Sequence, residues 1–316
     1  MSYKLLFFLF LFFFQSSFAE NIAFLKQLEK NDEEQIFRHN IEEVIESFND
    51  KPIILNYLNM VNWNLLKDAD DATKEKEIYN TLKKFFKKNH IRKLIIGGDD
   101  YNYNEPPFHP EPRERFFFTK VLTKMIQRKE IRVFAICGGM QGILYFNDIK
   151  LNSLKNILKR ESKEYQSGAK YLNSNEERFF YDKKQFRSCG SPLNEVRIIQ
   201  ESYLGSLMIQ SEKKYKIKYQ RSNDNSLIAH VAFAHFHAVD NSPHNLEKLK
   251  QKNFKIVGLS QDNIVYIVED EHHNILIEGH PELVANINRC PQEFSKEDVI
   301  FSRLLFNNLL QKSKRV

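Results

Sequence analysis

Apolar residues recur at helical spacing at Ile36, Phe37, Ile41, Val44, Ile45 and Phe48, and the run stops before Lys51-Pro52, the stop that a proline imposes. Pro52 to Leu58 then reads as a buried strand and Lys67 to Lys76 as a polar surface connection. Ile78, Leu82, Phe85 and Phe86 mark the inner face of the next helix. A strand follows at Lys93-Leu94-Ile95-Ile96 and ends in Gly97-Gly98. Beyond a loop rich in Pro and Tyr (Asp99 to Pro112), Phe117, Val121, Leu122, Met125 and Ile126 give Arg113 to Lys129 an amphipathic pattern. The strand Arg132 to Ile136 runs into Cys137-Gly138-Gly139, and Met140, Ile143 and Leu144 begin another apolar stripe. Strands alternating with helices predict an α/β fold, a mostly parallel sheet with helices on both faces.

The segment from Asn152 to Gly190 is dense in Lys, Glu, Ser and Asn, and reads as a polar insertion or a cover over the surface. From Val196 the chain turns to short strands: Val196 to Ile199, Val231 to Phe233, Lys255 to Val257, Ile264 to Val268 and Ile275 to Ile277. Polar turns separate the last three, which predicts a smaller antiparallel region. Ser295 with Asp298 three residues on has the form of a capping box, opening a last helix with Val299, Ile300, Leu304, Leu305 and Leu309 inside. No internal repeat is visible, so residues 20–316 read as one domain.

The amino terminus differs from all of this. Lys4 precedes an unbroken apolar run from Leu5 to Phe14, followed by Ser17 and Ala19 at the spacing a signal peptidase requires. The run is shorter than the ~20 residues a membrane-spanning helix needs. Residues 1–19 therefore read as a signal peptide cleaved after Ala19, with the protein exported to the periplasm or secreted and without a stable membrane span after cleavage; an uncleaved hydrophobic anchor is the alternative. With 47 basic against 41 acidic residues spread along the chain and a net charge of +6, no basic block calls for nucleic acid. Three scattered cysteines, Cys137, Cys189 and Cys290, are too few for a disulfide scaffold. If Cys189 paired with Cys290, Cys137 would remain a free thiol.

The chemistry concentrates at Cys137-Gly138-Gly139-Met140-Gln141. A cysteine at a sharp turn between a buried strand and a helix N-terminus is held out above the sheet, where the helix end favours the thiolate. The Gly138 N–H can point the same way and donate to an oxyanion. A buried structural cysteine beside a glycine turn would show the same motif.

His280-Pro281-Glu282 lies 143 residues after Cys137. In this order the two motifs resemble the nucleophile elbow and the His-Pro-Glu segment of class I glutamine amidotransferases, and more closely the γ-glutamyl hydrolase branch that includes γ-glutamyl-γ-aminobutyrate hydrolase. Leu94 to Asp100 is similar to that branch's glycine strand-end, Arg113-Glu114 to its charged pair before a helix, and His235 to Asp240 to its histidine-bearing loop. Asp298 and Ser302 fall where its last helix has comparable residues. The resemblance covers roughly Lys93 to Asn308 and implies a flavodoxin-like class I glutamine amidotransferase fold. It implies Cys137, His280 and Glu282 as a catalytic triad, with Gly97, Gly98, Gly138, Gln141, His235 and His237 around the oxyanion and substrate. The substrate would be a small γ-glutamyl compound, the reaction would need no cofactor, and a homodimer is compatible with it. No synthase domain to receive ammonia lies in these 316 residues, which favours hydrolysis. Gly138 stands where the branch often has arginine, and Gly279 where it has an aromatic, so a diverged specificity is expected.

A second class of function is a catalytically retired scaffold that binds a partner. A third would be metal binding, since His230, His235, His237 and His244 lie close and His235 with His237 would share one strand face, but their spacing matches no recognised zinc pattern and no metal is expected. Lys83-Lys84 with Lys87-Lys88, and the stretch from Lys312 to Arg315, read as solvated helix faces or ends. Phe116-Phe117-Phe118 and Phe179-Phe180 read as core or cover contacts, without the basic companions of single-strand binding.

Overall fold

The computed structural model describes residues 21–26, 32–98, 103, 113–154, 156–157, 193–232, 235, 237–286 and 294–310. The signal peptide, Cys189, Cys290, Phe179-Phe180, most of the polar insertion and the basic C-terminus lie outside them.

In chain order the strands are β1 (Asn21–Leu25), β2 (Ile53–Leu55), β3 (Ile91–Ile96), β4 (Arg132–Ile136), β5 (Leu151–Ser153), β6 (Leu193–Ile198), β7 (Leu227–Ala232), β8 (His237–Val239), β9 (Phe254–Ser260), β10 (Val265–Asp270) and β11 (Ile275–Ile277). The helices are α1 (Asp32–Glu46), α2 (Tyr57–Met60), α3 (Trp63–Leu66), α4 (Asp71–Lys88), α5 (Arg113–Gln127), α6 (Gly138–Tyr145), α7 (Tyr203–Tyr215), α8 (Pro243–Gln251), α9 (Pro281–Ala285) and α10 (Lys296–Leu310).

Nine strands form one sheet in the order β2-β1-β3-β4-β11-β10-β9-β6-β7. The pairings among β2, β1, β3, β4 and β11 are all parallel, and this half has the 2-1-3-4-5 order of doubly wound flavodoxin-like sheets. The remaining four pairings are antiparallel, so only β10 and β6 run against the other strands. The expected mostly parallel sheet with a smaller antiparallel region is present, and the antiparallel part is the meander of β9, β10 and β11 extended by β6 and β7.

Strand alternation explains the two cores. In β4, Val133 and Ala135 face one side while Phe134 and Ile136 face the other, because successive side chains of a strand point to opposite faces. Helices α4, α5, α6 and α8 cover the first face and α1, α7, α9 and α10 the second. Coverage on both sides is why the parallel strands read as unbroken apolar runs.

Three expectations change. The strand β1, next to the edge of the sheet, is not expected from the sequence, where its apolar run (Ile22 to Leu25) sits just behind the apolar leader. With β1 beside β3, the segment expected to be a buried strand from Pro52 to Leu58 is instead a short edge strand, with Ile54 37% exposed. The backbone turns helical at Tyr57. The polar insertion also begins later than Asn152, because Asn152 and Ser153 belong to β5, which pairs with β8 in a separate two-stranded sheet. The capping contact at the last helix is present: Ser295 Oγ accepts from the Asp298 N–H at 3.1 Å. The Lys83, Lys84, Lys87 and Lys88 face is exposed, and Phe117 and Phe118 are core.

Candidate active site

The carboxyl ends of β3, β4 and β11 meet at one place, where ligands of such sheets bind. Each contributes one part. After β3 come Gly97 and Gly98, after β4 comes Cys137, and three residues past β11 comes His280.

Cys137 has φ 49° and ψ −116°, a conformation an L-residue adopts only when its surroundings force it. Those surroundings are specific. Its N–H donates to the Ile277 carbonyl of β11 at 2.7 Å, and its own carbonyl receives the Gln141 N–H at 3.0 Å as α6 begins. A side chain on Gly139 would put a Cβ 2.4 Å from the Ile96 carbonyl oxygen. Glycine is therefore required for α6 to pack against the end of β3 and hold the turn sharp. Cys137 is buried, and Gly138 is the first residue of α6, whose N–H has no partner within the helix by its position.

Gly98 fixes the relation between cysteine and histidine. A Cβ built on it would lie 3.2 Å from Cys137 Cβ, 3.2 Å from His280 Cε1 and 3.7 Å from Cys137 Sγ. The backbone of Gly98 thus lies against both side chains at once, an approach that a larger residue would keep only if Cys137 and His280 gave way by a few tenths of an ångström.

His280 is buried, and its N–H donates to the Ala232 carbonyl at 2.9 Å, which fastens it to the end of β7. Its Nδ1 lies 2.7 Å from Glu282 Oε1. The sequence places Glu282 on the same face of an extended segment, but Pro281 opens the short helix α9 with His280 as its N-cap. The contact is made through this helical turn instead. The ring of Phe37 on α1 lies over His280 at 4.3 Å between centroids. Asn286, which ends α9, donates to Asn40 Oδ1 at 3.0 Å and so ties the His-Pro-Glu segment to α1.

The other expected site residues divide. Gly97 turns its carbonyl to Arg115 Nη2 at 3.4 Å. Gln141 is buried and its amide donates inward, to Glu278 Oε2 at 3.0 Å and to the His237 carbonyl at 3.2 Å. His235 lies before β8 rather than within it, so the expected shared strand face with His237 does not form, and its Nδ1 engages the His237 carbonyl at 2.8 Å. His230 is committed to Asp298, with Nδ1 3.1 Å and backbone N 2.8 Å from Oδ1. Ser302 is fully buried on α10. Among the described residues no cluster of three or more His, Cys, Asp or Glu is arranged to hold a metal.

Two residues of the site escaped the sequence reading. Arg115 is fully buried, and its guanidinium bridges the Lys26 carbonyl after β1 (3.0 Å) and the Gly97 carbonyl after β3. Its spacing to Phe118 and Leu122 along the inner face of α5 was the available signal. Glu278, two residues before His280, is fully buried as well. Burial pushes its carboxyl up to about 8, the Gln141 bond opposing this in part. Next to it, Tyr266 fills the space beside Gly279: a Cβ there would fall 2.5 Å from the Tyr266 hydroxyl. That ring leaves no room for an aromatic at residue 279.

No family model matches the chain, and no curated protein does. Solved structures match it. The glutaminase domain of Trypanosoma brucei CTPS with bound acivicin is 12% identical, with 92% of this chain and 93% of that one covered at a TM-score of 0.50. A glutamine amidotransferase from Thermotoga maritima is 11% identical, with 93% and 99% covered, also at 0.50. At such identities the likeness establishes the fold, which is that of the class I glutamine amidotransferases.

Proposed function

We propose that this chain hydrolyses a γ-glutamyl amide bond through Cys137, His280 and Glu282. The observation that carries the reading is the convergence at Gly98, whose backbone lies against both the cysteine and the histidine while Glu282 holds the far side of the imidazole.

A carboxylate only accepts hydrogen bonds, so Glu282 draws the imidazole proton to Nδ1 and leaves Nε2 as the base. His280 Nε2 takes the Cys137 proton, and the sulfur attacks the amide carbonyl. The N–H groups of Gly138 and of Gly97 or Gly98 are the donors for the oxyanion, each on a residue without a side chain to keep the substrate away. Collapse expels the amine, which receives the proton from His280. Water, deprotonated by the same nitrogen, then cleaves the thioester and releases the γ-carboxyl group. The fixed backbone around Cys137 and the N-terminus of α6 stabilise the thiolate.

Export belongs to the same proposal. Cleavage after Ala19 would leave a chain starting at Glu20, one residue before β1. N-terminal sequencing of the exported protein checks this.

The functional test is intact-protein mass spectrometry after treatment of reduced protein with a glutamine-mimicking diazo-ketone. One adduct on the wild type and none on Cys137→Ser is expected, together with release of glutamate from at least one compound of a γ-glutamyl panel. Folded wild-type protein with no adduct and no turnover would overturn the reading in favour of a retired scaffold.

A further inference from the structure

The triad leaves Glu278 without a task. Its carboxyl is fully buried, with Oε2 accepting from Gln141 and Oε1 buried without a hydrogen-bond partner among the described residues. No lysine or arginine among the described residues pairs with it. The nearest ring nitrogen, His235 Nδ1, is 3.8 Å from Oε2 but 2.8 Å from the His237 carbonyl oxygen. A carbonyl cannot donate, so His235 carries its proton on Nδ1 and gives it to His237. Gln141 gives a second N–H to that same oxygen. Two donors thus pin the first residue of β8, one from the helix that follows the nucleophile and one from the loop before β8.

We propose that Glu278 is a positioning residue that works as a neutral carboxylic acid. With its proton on, the His235 N–H stays on the His237 carbonyl and the start of β8 is held against α6; with the proton lost, the carboxylate takes that N–H and the start of β8 comes away from the Cys137 site.

A buried carboxylate with a single amide donor is short of partners, and a donor within its reach, 3.8 Å away, is the one His235 now spends on His237. His235 cannot compensate by becoming charged, because burial outweighs its bond to the His237 carbonyl and, with His280 and His237 nearby, pushes its ring down to about 4. The titratable groups on the elements around Glu278 are Tyr266 on β10, His235 and His237 at β8, Cys137 after β4, and His280 with Glu282 beyond it on its own segment. Tyr266 is held protonated by burial, so it adds no charge.

The effect on catalysis rests on the function proposed above; the movement of β8 does not. Hydrogen exchange of the purified reduced protein therefore comes first, following amides 237–239, corrected for intrinsic exchange, from about pH 6 to about pH 9.5. In the wild type we expect protection to fall about tenfold across pH 8. Glu278→Gln, neutral at every pH, should stay protected throughout, and Glu278→Ala, which can neither ionise nor take the His235 N–H, should show no step. A wild type without the step, or a step of equal size in Glu278→Gln or in Glu278→Ala, would overturn the proposal. Diazo-ketone labelling followed in parallel separates the two readings. An exchange step with no adduct at any pH would strike the hydrolase alone, and labelling without the step would strike the role of Glu278 alone.

Discussion

Replacing Glu278 by glutamine should make the protein more stable at and above neutral pH, increasingly so as pH rises. The carboxyl goes from an ordinary 4.5 in the unfolded chain to about 8 when folded. Between those values the native state holds a proton that the unfolded state releases, so stability falls with rising pH, the reverse of a salt-bridged carboxylate. Each pH unit in that window is worth about 1.4 kcal/mol. At pH 7 the accumulated cost is roughly 3 kcal/mol, and above pH 8 it levels off at roughly 5 kcal/mol. Glutamine keeps an oxygen to accept from Gln141 but places an NH₂ where Oε1 now has no partner, which returns about 1–2 kcal/mol. The net expectation is a variant about as stable as the wild type, or slightly less so, near pH 5, about 1–2 kcal/mol more stable at pH 7 and about 3 kcal/mol more stable at pH 8.5. Urea unfolding of both proteins under reduction at those three pH values measures it. A difference that does not change with pH, or a variant less stable at pH 8.5, would show that Glu278 folds as a solvated carboxylate and would refute the reasoning.

Three further outcomes follow from the geometry. Gly139→Ala drives a methyl against the Ile96 carbonyl and should cost about 1–3 kcal/mol in thermal or urea unfolding, with loss of Cys137 labelling as α6 moves off β3. Glu282→Gln leaves the contact with His280 but no longer draws the proton to Nδ1; labelling should slow by about a hundredfold or more with the unfolding midpoint little changed. The His230–Asp298 pair should shape the acid and neutral limbs of stability. The bond from Asp298 outweighs burial and raises His230, whose contribution is complete below its ordinary 6.5 and is lost as pH climbs through the raised value. For Asp298 burial works upward, but the bonds from His230 and Ser295 prevail and lower it, so its contribution is present above 3.8 and is lost as pH falls through the lowered value. His230→Gln should flatten the decline near neutrality and shrink the acid limb without abolishing it, since the bonds to Asp298 from Ser295 and from the backbone N–H at position 230 remain, as followed by thermal melts from pH 3 to pH 9.

Much of the fold was legible because the strands of the parallel half are buried on both faces and announce themselves as apolar runs, as Leu94 to Ile96 and Val133 to Ile136 do. The site motifs were legible for a different reason: a strand, a sharp turn at Cys137 and a glycine-bearing helix start leave little freedom in which residues can be used. What escaped lacked a local signature. β1 has only four apolar residues behind an apolar leader. Helix α7 has one local cap, Ser202 Oγ accepting from the Gly205 N–H at 2.9 Å, but its Tyr203 and Leu204 N–H groups donate to Glu269 of β10 at 3.0 and 3.2 Å, 65 residues or more away. Arg115 and Glu278 became important only through burial, which depends on neighbours distant in the chain. The histidine loop was found, but its geometry was set by the His237 carbonyl rather than by strand periodicity.

On the function proposed for Cys137, the seat of β11 between β4 and β10 governs when the thiol can react. The turn bearing Cys137 is fastened by the Ile277 carbonyl, and the imidazole arrives on the same returning segment, 143 residues downstream. A nascent or incompletely folded chain therefore lacks this arrangement. Pairings this distant in sequence carry a large loop-closure cost, so on that proposal activation of the sulfur is coupled to completion of the fold. The C-terminal meander would then act as the arming step: until it docks, His280 is not beside the cysteine and the elbow lacks its bond to the Ile277 carbonyl.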